Sequence, residues 1–394
     1  MTTNLTQLGF LLFVASLVAI LTRRLRLPYT VGLVLAGMGL YLLHIKMHLH
    51  LTKDLIFSVF LPPLIFEAAL CINWKEFKKD LPVVALLATL GVVIAAGVTA
   101  AGMHYALSWD WGSALVFGAL IAATDPVSVI ATFKEAGVHG RLRLLIEAES
   151  LLNDGTAAVA FVAVLGVLAG QHQSVASIGA SLALTIGGGA AIGAVIALGF
   201  MALAGRAEDR LVEITLTTLT AYGSFFVAEH FQCSGVLAAL TAGLIVGNFR
   251  SASAISDSYR QSLDAFWEYA AFLSNSLIFI LIGIQEAQQH FNGLWTPVAI
   301  AIALVTLGRA TSIYPLCAMF AGSSYKIDAR HQHILFWGGL RGALALALAL
   351  AIPEDLPQHD AIVTLTFAVV AFSVFAQGLT ITPLLRRLGQ IDPR

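Results

Sequence analysis

From residue 176 to residue 204 the chain runs without a single charged side chain. About 20 apolar residues are enough for a helix to cross the ~30 Å hydrocarbon core of a bilayer, and this run exceeds that. The stretch from Leu81 to Leu107 is of the same kind. In lipid, a helix satisfies its own backbone hydrogen bonds without help from water. Composition agrees: 58% of the 394 residues are hydrophobic and only 11% are charged, against about 25% charged in soluble domains. The sequence therefore predicts an all-α polytopic membrane protein.

Several classes fall away early. The formal net charge of −1 leaves no basic field for nucleic acid. Cys71, Cys233 and Cys317 are odd in number and widely spaced, which gives neither a disulfide framework nor a zinc pattern; they read as buried free thiols. The first apolar run lacks a basic leader and is followed by Arg23, Arg24 and Arg26. Those are the wrong flanks for a cleavable signal, so the run reads as a first spanning helix with its N-terminus outside.

Apolar runs and polar breaks define thirteen segments, near 7–22, 29–45, 54–71, 81–107, 112–134, 142–170, 176–204, 211–229, 234–248, 261–285, 296–321, 330–351 and 360–385. With the N-terminus outside, every basic residue except Lys46, Lys53, Arg309 and Arg341 falls on the cytoplasmic side, the bias that orients membrane proteins. The tail after the last segment is short, so residues 1–394 read as one membrane domain with no soluble regulatory domain and no regulatory tail partner. Val34-Leu35-Ala36-Gly37 in the second segment is weakly echoed by Leu240-Thr241-Ala242-Gly243 in the ninth, which runs the opposite way. Inverted repeats are a common transporter plan.

An ionisable residue in mid-membrane costs at least about 2.5–3.5 kcal/mol and so needs a partner, a wet path or a function. The sixth segment carries Glu147, Glu149, Ser150, Asn153 and Asp154. Asp154 lies roughly 16 Å along the helix from its cytoplasmic end at 1.5 Å per residue, near the midplane. Residues four apart share a helix face, so Ser150 lies beside Asp154 and Glu149 beside Asn153. Glu147, two turns nearer the cytoplasm than Asp154, either draws cations inward or is an interfacial carboxylate.

The fifth segment contains Thr124-Asp125-Pro126. Proline donates no backbone hydrogen bond and disfavours helix in the preceding residue, so a break is expected near Asp125, with Asp125 at the start of the second half-helix. The twelfth segment contains Gly338-Gly339-Leu340-Arg341-Gly342, a second break bearing the opposite charge. Two broken helices in matching positions point to a transport site. Arg309 in the eleventh segment needs a carboxylate, and Glu149, Glu67, Asp125 and Asp154 are all candidates. Glu67 follows Pro62-Pro63 in the third segment and lies deep. His44, His48, His50, His331 and His333 sit in or beside predicted loops without a cysteine or carboxylate cluster, so they read as solvated rather than metal-binding.

Together, Phe66-Glu67-Ala68-Ala69, Thr124-Asp125-Pro126, Glu149-Ser150-Leu151-Leu152-Asn153-Asp154, Gly308-Arg309 and Gly338-Gly339-Leu340-Arg341-Gly342 resemble the sodium/proton exchanger family, the NhaP/NHE branch of the monovalent cation:proton antiporters. The resemblance implies a thirteen-helix homodimer of inverted-repeat fold, with a mobile six-helix core and two broken helices crossing near 112–134 and 330–351. It implies that Asp154 binds cation and proton in turn, with Ser150 and Thr124 helping to coordinate Na⁺. It further implies a structural ion pair between Glu149 and Arg309, and a role for Glu67 through water. The chain departs from animal exchangers in lacking a long cytoplasmic tail, which points to a prokaryotic inner membrane.

The expected function is secondary active exchange of Na⁺ (or Li⁺) for H⁺, electroneutral, with elevator-like alternating access and no cofactor. Asp154, Ser150, Thr124, Asp125, Asn153 and Glu67 are the candidate cation/proton site; Glu149 and Arg309 are the structural pair; Arg341 is the charge at the crossing. Hard monovalent cations suit carboxylate, hydroxyl and carbonyl oxygens. The alternatives are K⁺/H⁺ exchange on the same fold and a cation channel. An intramembrane hydrolase would need a nucleophile and base at membrane depth, and no histidine lies there.

Overall fold

A computed structural model of the chain describes residues 2–25, 27–45, 51–125, 129–130, 133, 137–138, 140–170, 175–204, 209–252, 257–289 and 293–391. The described residues are nearly all helical, and none forms a strand. Among them, nine helices are long and apolar enough to cross a bilayer, and Tyr29–Leu42, Trp111–Ile121 and Gly235–Phe249 are shorter apolar helices.

Some boundaries differ from those predicted, for local reasons. The helix Trp74–Leu107 starts a full turn and more before residue 81. The Asn73 side chain accepts hydrogen bonds from the N–H groups of Lys75 (2.9 Å) and Glu76 (3.4 Å), which satisfies otherwise orphaned donors of the first turn. Lys75, Lys78 and Lys79 are therefore helical rather than in a loop. The third predicted segment holds a π-helical turn at Ile56–Phe60 just before Leu61–Leu70. Pro62 and Pro63 lack the N–H groups that regular α pairing would use there. A second π-helical turn, Ser373–Gln377, interrupts the last apolar helix; turns of this kind are frequent at functional sites.

The chain divides into two compact units. The first comprises Met1–Lys53, Asp80–Leu165 and Ser276–Arg394; the second comprises Asp54–Lys79 and Gly166–Asn275. The second unit is built around Phe66 and Trp267, both buried, with ring centroids 4.6 Å apart. Trp267 donates its indole N–H to Thr217 Oγ1 at 3.1 Å, so a polar atom in this core keeps a partner. The first unit contains both broken helices and every charged residue of the candidate site except Glu67. The three cysteines form no disulfide; Cys317 is buried, Cys233 is half-buried and Cys71, at the end of its helix, is exposed.

Candidate functional site

The first broken helix, Trp111–Ile121, begins with Asp110 accepting a hydrogen bond from the Ser113 N–H at 2.9 Å. It stops at Ile121, and Ala122 to Asp125 continue without helix. Pro126, on which the predicted break rested, lies outside the described residues. The second broken helix runs Ala329–Trp337, breaks across Gly338 to Gly342, and resumes at Ala343–Ala349.

The two breaks join. Asp125 N–H donates to the Leu340 carbonyl at 2.8 Å in an isolated antiparallel bridge. The last carbonyls of a helix lack intrahelical partners and carry partial negative charge. Arg341 supplies what they need: its Nη1 donates to the carbonyls of Ala122 (2.7 Å) and Ala123 (2.9 Å). In the other direction, the Asp125 carboxylate lies against Gly342, the residue preceding Ala343–Ala349. A Cβ at Gly342 would overlap that carboxylate, so the close approach requires glycine. Each break thus receives, from the other, a charge opposite to the helix end it exposes.

Helix Arg141–Leu168 brings the remaining groups. Ser150 Oγ donates to the Thr124 carbonyl at 2.6 Å and lies 2.8 Å from Thr124 Oγ1. Both residues are buried, Ser150 at 3% and Thr124 at 2% exposure. Asp154 follows Ser150 by one turn on the same face. Its Oδ1 is buried and has no hydrogen-bond partner among the described residues; the same holds for Asn153 Oδ1. The charges that act on Asp154 are Asp125, Glu149 and Arg341.

Glu149 and Arg309 form a bidentate pair, Nη1 to Oε1 at 2.7 Å and Nη2 to Oε2 at 2.9 Å. Arg309 Nη2 also donates to the Leu335 carbonyl at 3.0 Å, and Asn153 donates to Glu149 Oε1 at 3.3 Å. Of the four carboxylates open to Arg309 from sequence, Glu149 is the one bonded. Glu147, also buried, is paired with Arg143 at 2.7 Å. Arg309 and Arg341 further line a cleft with Thr306, Gly339, Ser373 and Gln377.

Thr124, Asp125, Glu149, Ser150, Asn153, Asp154, Arg309 and Arg341 therefore lie in one unit. Glu67 belongs to the second, half-buried on Leu61–Leu70, with Cys71 Sγ 3.9 Å from its Oε1. Among the histidines, His333 Nδ1 is 2.9 Å from the Tyr314 hydroxyl. His48 and His50 lie outside the described residues, and no cluster suited to a metal ion occurs among the described ones. Two groups escaped sequence reasoning. Gln377, within the predicted 360–385 segment, is buried at 7% exposure. Glu286 falls just past the predicted end at 285, yet the helix continues to Gln288 and Glu286 is buried.

Two broken helices that complement each other's ends, set beside a carboxylate with a buried oxygen and two buried hydroxyls, are the architecture of a secondary transporter. The chain belongs to the family described as sodium/hydrogen exchanger, transmembrane, whose model matches residues 11–387. It is similar to the Na(+)/H(+) antiporter ApNhaP of Aphanothece halophytica, with 40% identity over 94% of this chain and 71% of that protein. It is also similar to the low-affinity Na(+)/H(+) antiporter NhaS1 of Synechocystis, with 37% identity over 98% of this chain and 75% of that one. The fold matches the solved structure of the sodium proton antiporter MjNhaP1 from Methanocaldococcus jannaschii, with a TM-score of 0.77 and 20% identity, covering 98% of this chain and 99% of that one. The chain is a multi-pass membrane protein of antiporter fold, a transporter rather than an enzyme.

Proposed function

We propose that this chain exchanges Na⁺ (or Li⁺) for H⁺, and that Asp154 is the carrier of both. The observation that carries the reading is the Asp154 Oδ1 atom, buried without a partner one turn from the bonded Ser150–Thr124 pair. A buried carboxylate oxygen without a donor is costly, and binding a proton or a cation relieves that cost. Asp154, Ser150 and Thr124 offer hard oxygen ligands of the kind that suit a small monovalent cation. Asn153 and Asp125 complete the polar surroundings, Arg341 braces the crossing, and Glu149 with Arg309 holds the helices bearing them. Glu67 contributes through water. The antiporter names of the relatives support sodium as the ion.

Asp154 binds a proton or a cation but not usefully both, so the two ions compete and are carried in opposite directions. The groups that hold the ion, Asp154, Ser150 and Thr124, lie in one unit and so travel together, which suits elevator-like access. The chain acts as one membrane antiporter domain of thirteen spans, as a homodimer in a prokaryotic inner membrane, with its N-terminus outside. The deciding experiment follows proton flux in proteoliposomes on addition of Na⁺, Li⁺ or K⁺. Na⁺ and Li⁺ are expected to drive flux; a response to K⁺ alone would overturn the ion assignment, and none to any cation would overturn exchange itself.

A further inference from the structure

Besides Asp154, Glu286 of the first unit has a buried carboxylate oxygen without a hydrogen-bond partner among the described residues. It sits near the end of helix Asp257–Gln288 at 5% exposure, and its Oε1 has no hydrogen-bond partner among the described residues. On the same helix Ile278 to Ile284 are apolar or glycine, and Glu286 itself follows Gln285 and precedes Ala287 and Gln288. The helix packs closely on Tyr29–Leu42, where a Cβ on Gly283 would overlap the Val34 carbonyl. From the other side, Thr364 of helix His359–Phe372 donates to Gln289 Oε1 at 3.2 Å, just beyond Glu286.

The charged and titratable groups on these packed elements do not neutralise it. Tyr29–Leu42 offers Tyr29 and Tyr41, and Tyr29 lies 2.8 Å from Ser276 Oγ. His359–Phe372 offers only His359 and Asp360, which pair with each other at 3.0 Å. On its own helix the nearest described ionisable residues are Glu268 and Tyr269, more than four turns back. Among the described residues, no arginine or lysine bonds Glu286 Oε1 as Arg309 bonds Glu149. An ionised carboxylate stranded in such a place is strongly unfavourable, whereas the neutral acid leaves no net charge to compensate.

We infer that Glu286 is a second proton-binding carboxyl, separate from the cation site, and that losing its proton loosens the packing of this helix end. The ligand is the proton alone. Asp154 stands beside the bonded hydroxyls of Ser150 and Thr124, whereas the side-chain oxygens near Glu286 are amides of Gln285, Gln288 and Gln289, the last of which already accepts from Thr364. The site would let alkaline pH act on the first unit without touching the residues that carry Na⁺.

The test uses the whole protein in liposomes. A hydrophobic carbodiimide adds across the O–H of a protonated carboxyl in an apolar place, and the rearranged N-acylurea is located by peptide mass mapping. Glu286 is expected to be labelled at mildly acidic pH and to lose labelling at alkaline pH, and Na⁺ should protect Asp154 but not Glu286. In parallel, the melting temperatures of wild type and Glu286→Gln are followed against pH. At acidic pH both side chains are neutral and the two proteins melt together; as pH rises, ionisation strands a charge only in wild type, which melts progressively below the variant. A constant offset at all pH values would show a packing role and overturn the inference. So would absence of label on Glu286 in preparations where Asp154 is labelled, or Na⁺ protection of Glu286. The labelling needs no variant, so misfolding of Glu286→Gln would leave the inference testable.

Discussion

Arg341 Nη1 donates to the Ala122 carbonyl at 2.7 Å, tying the break of one discontinuous helix to the exposed C-terminal end of the other. The same guanidinium nitrogen reaches Ala123, and Asp125 returns the favour at Gly342. Arg341→Ala would leave the Ala122 and Ala123 carbonyls without their donor. Hydrogen bonds to charged groups are worth about 1.5–3 kcal/mol each, so a marked fall in melting temperature and loss of exchange are expected. Arg341→Lys retains the charge but not the planar fork, and intermediate behaviour is expected. Equal melting of Arg341→Ala and wild type would show that the crossing does not depend on this residue.

Asp154→Asn should abolish exchange while leaving the protein folded. The change is nearly isosteric and removes a buried charge, so the melting temperature should hold or rise. Ion-driven proton flux at the wild-type rate from folded Asp154→Asn would remove Asp154 as the carrier.

Glu149 and Arg309 are 2% and 6% exposed, so removing one strands the other. Breaking such a pair typically costs about 3–5 kcal/mol. Glu149→Gln or Arg309→Ala alone should lower the melting temperature, and the double neutral variant should recover part of the loss. Strictly additive losses would mean that the two side chains do not interact energetically.

Ser150→Ala removes the hydroxyl that bonds the Thr124 carbonyl and stands one turn from Asp154. A ligand oxygen contributing about 1–1.5 kcal/mol corresponds to roughly a tenfold weaker Na⁺ dependence, with the maximal rate less affected. Titrating Na⁺ against proton flux reads this directly, and an unchanged half-saturation would exclude Ser150 as a ligand.

We expect one-for-one exchange. The proposed site gathers three carboxylates, Asp125, Glu149 and Asp154, and two guanidinium groups, Arg309 and Arg341, an excess of one negative charge that a single Na⁺ or a single proton would neutralise. Asn153 stands where a second acid would add another titrating group, and Glu149 is committed to Arg309. The loaded site then has the same charge on both crossings. Moving one extra charge would couple the cycle to voltage at about 2.3 kcal/mol per 100 mV. A potassium–valinomycin potential imposed on proteoliposomes should leave the equilibrium Na⁺ gradient unchanged; a shifted gradient would falsify one-for-one exchange.

Much of the architecture was legible because lipid imposes simple rules. Long uncharged runs, the distribution of basic residues and isolated charges within apolar segments are all visible without coordinates. Glycine placement was partly legible too. Gly37 and Gly243, which end the two echoed tetrapeptides, each seat a close helix crossing, Gly37 against Ile280 and Gly283, and Gly243 against Phe66 and Ala69. The predicted helix ends erred where side chains intervened, as at Asn73, whose capping bonds extend a helix past its apolar stretch.

By itself the sequence determined which residues carry charge into the membrane and where the helices must break, since both follow from local chemistry: the cost of a charge in hydrocarbon, the missing N–H of proline, the looseness of glycine. Partner choice was decided only by the tertiary structure. Arg309 had four carboxylates open to it and is bonded to Glu149, 160 positions away; Arg341 serves carbonyls that nothing in their own sequence distinguishes; and Glu286, one residue past a predicted segment end, is buried. Pairing depends on distances between helices remote along the chain, and at such distances a difference of a few ångströms separates a bonded charge from a stranded one.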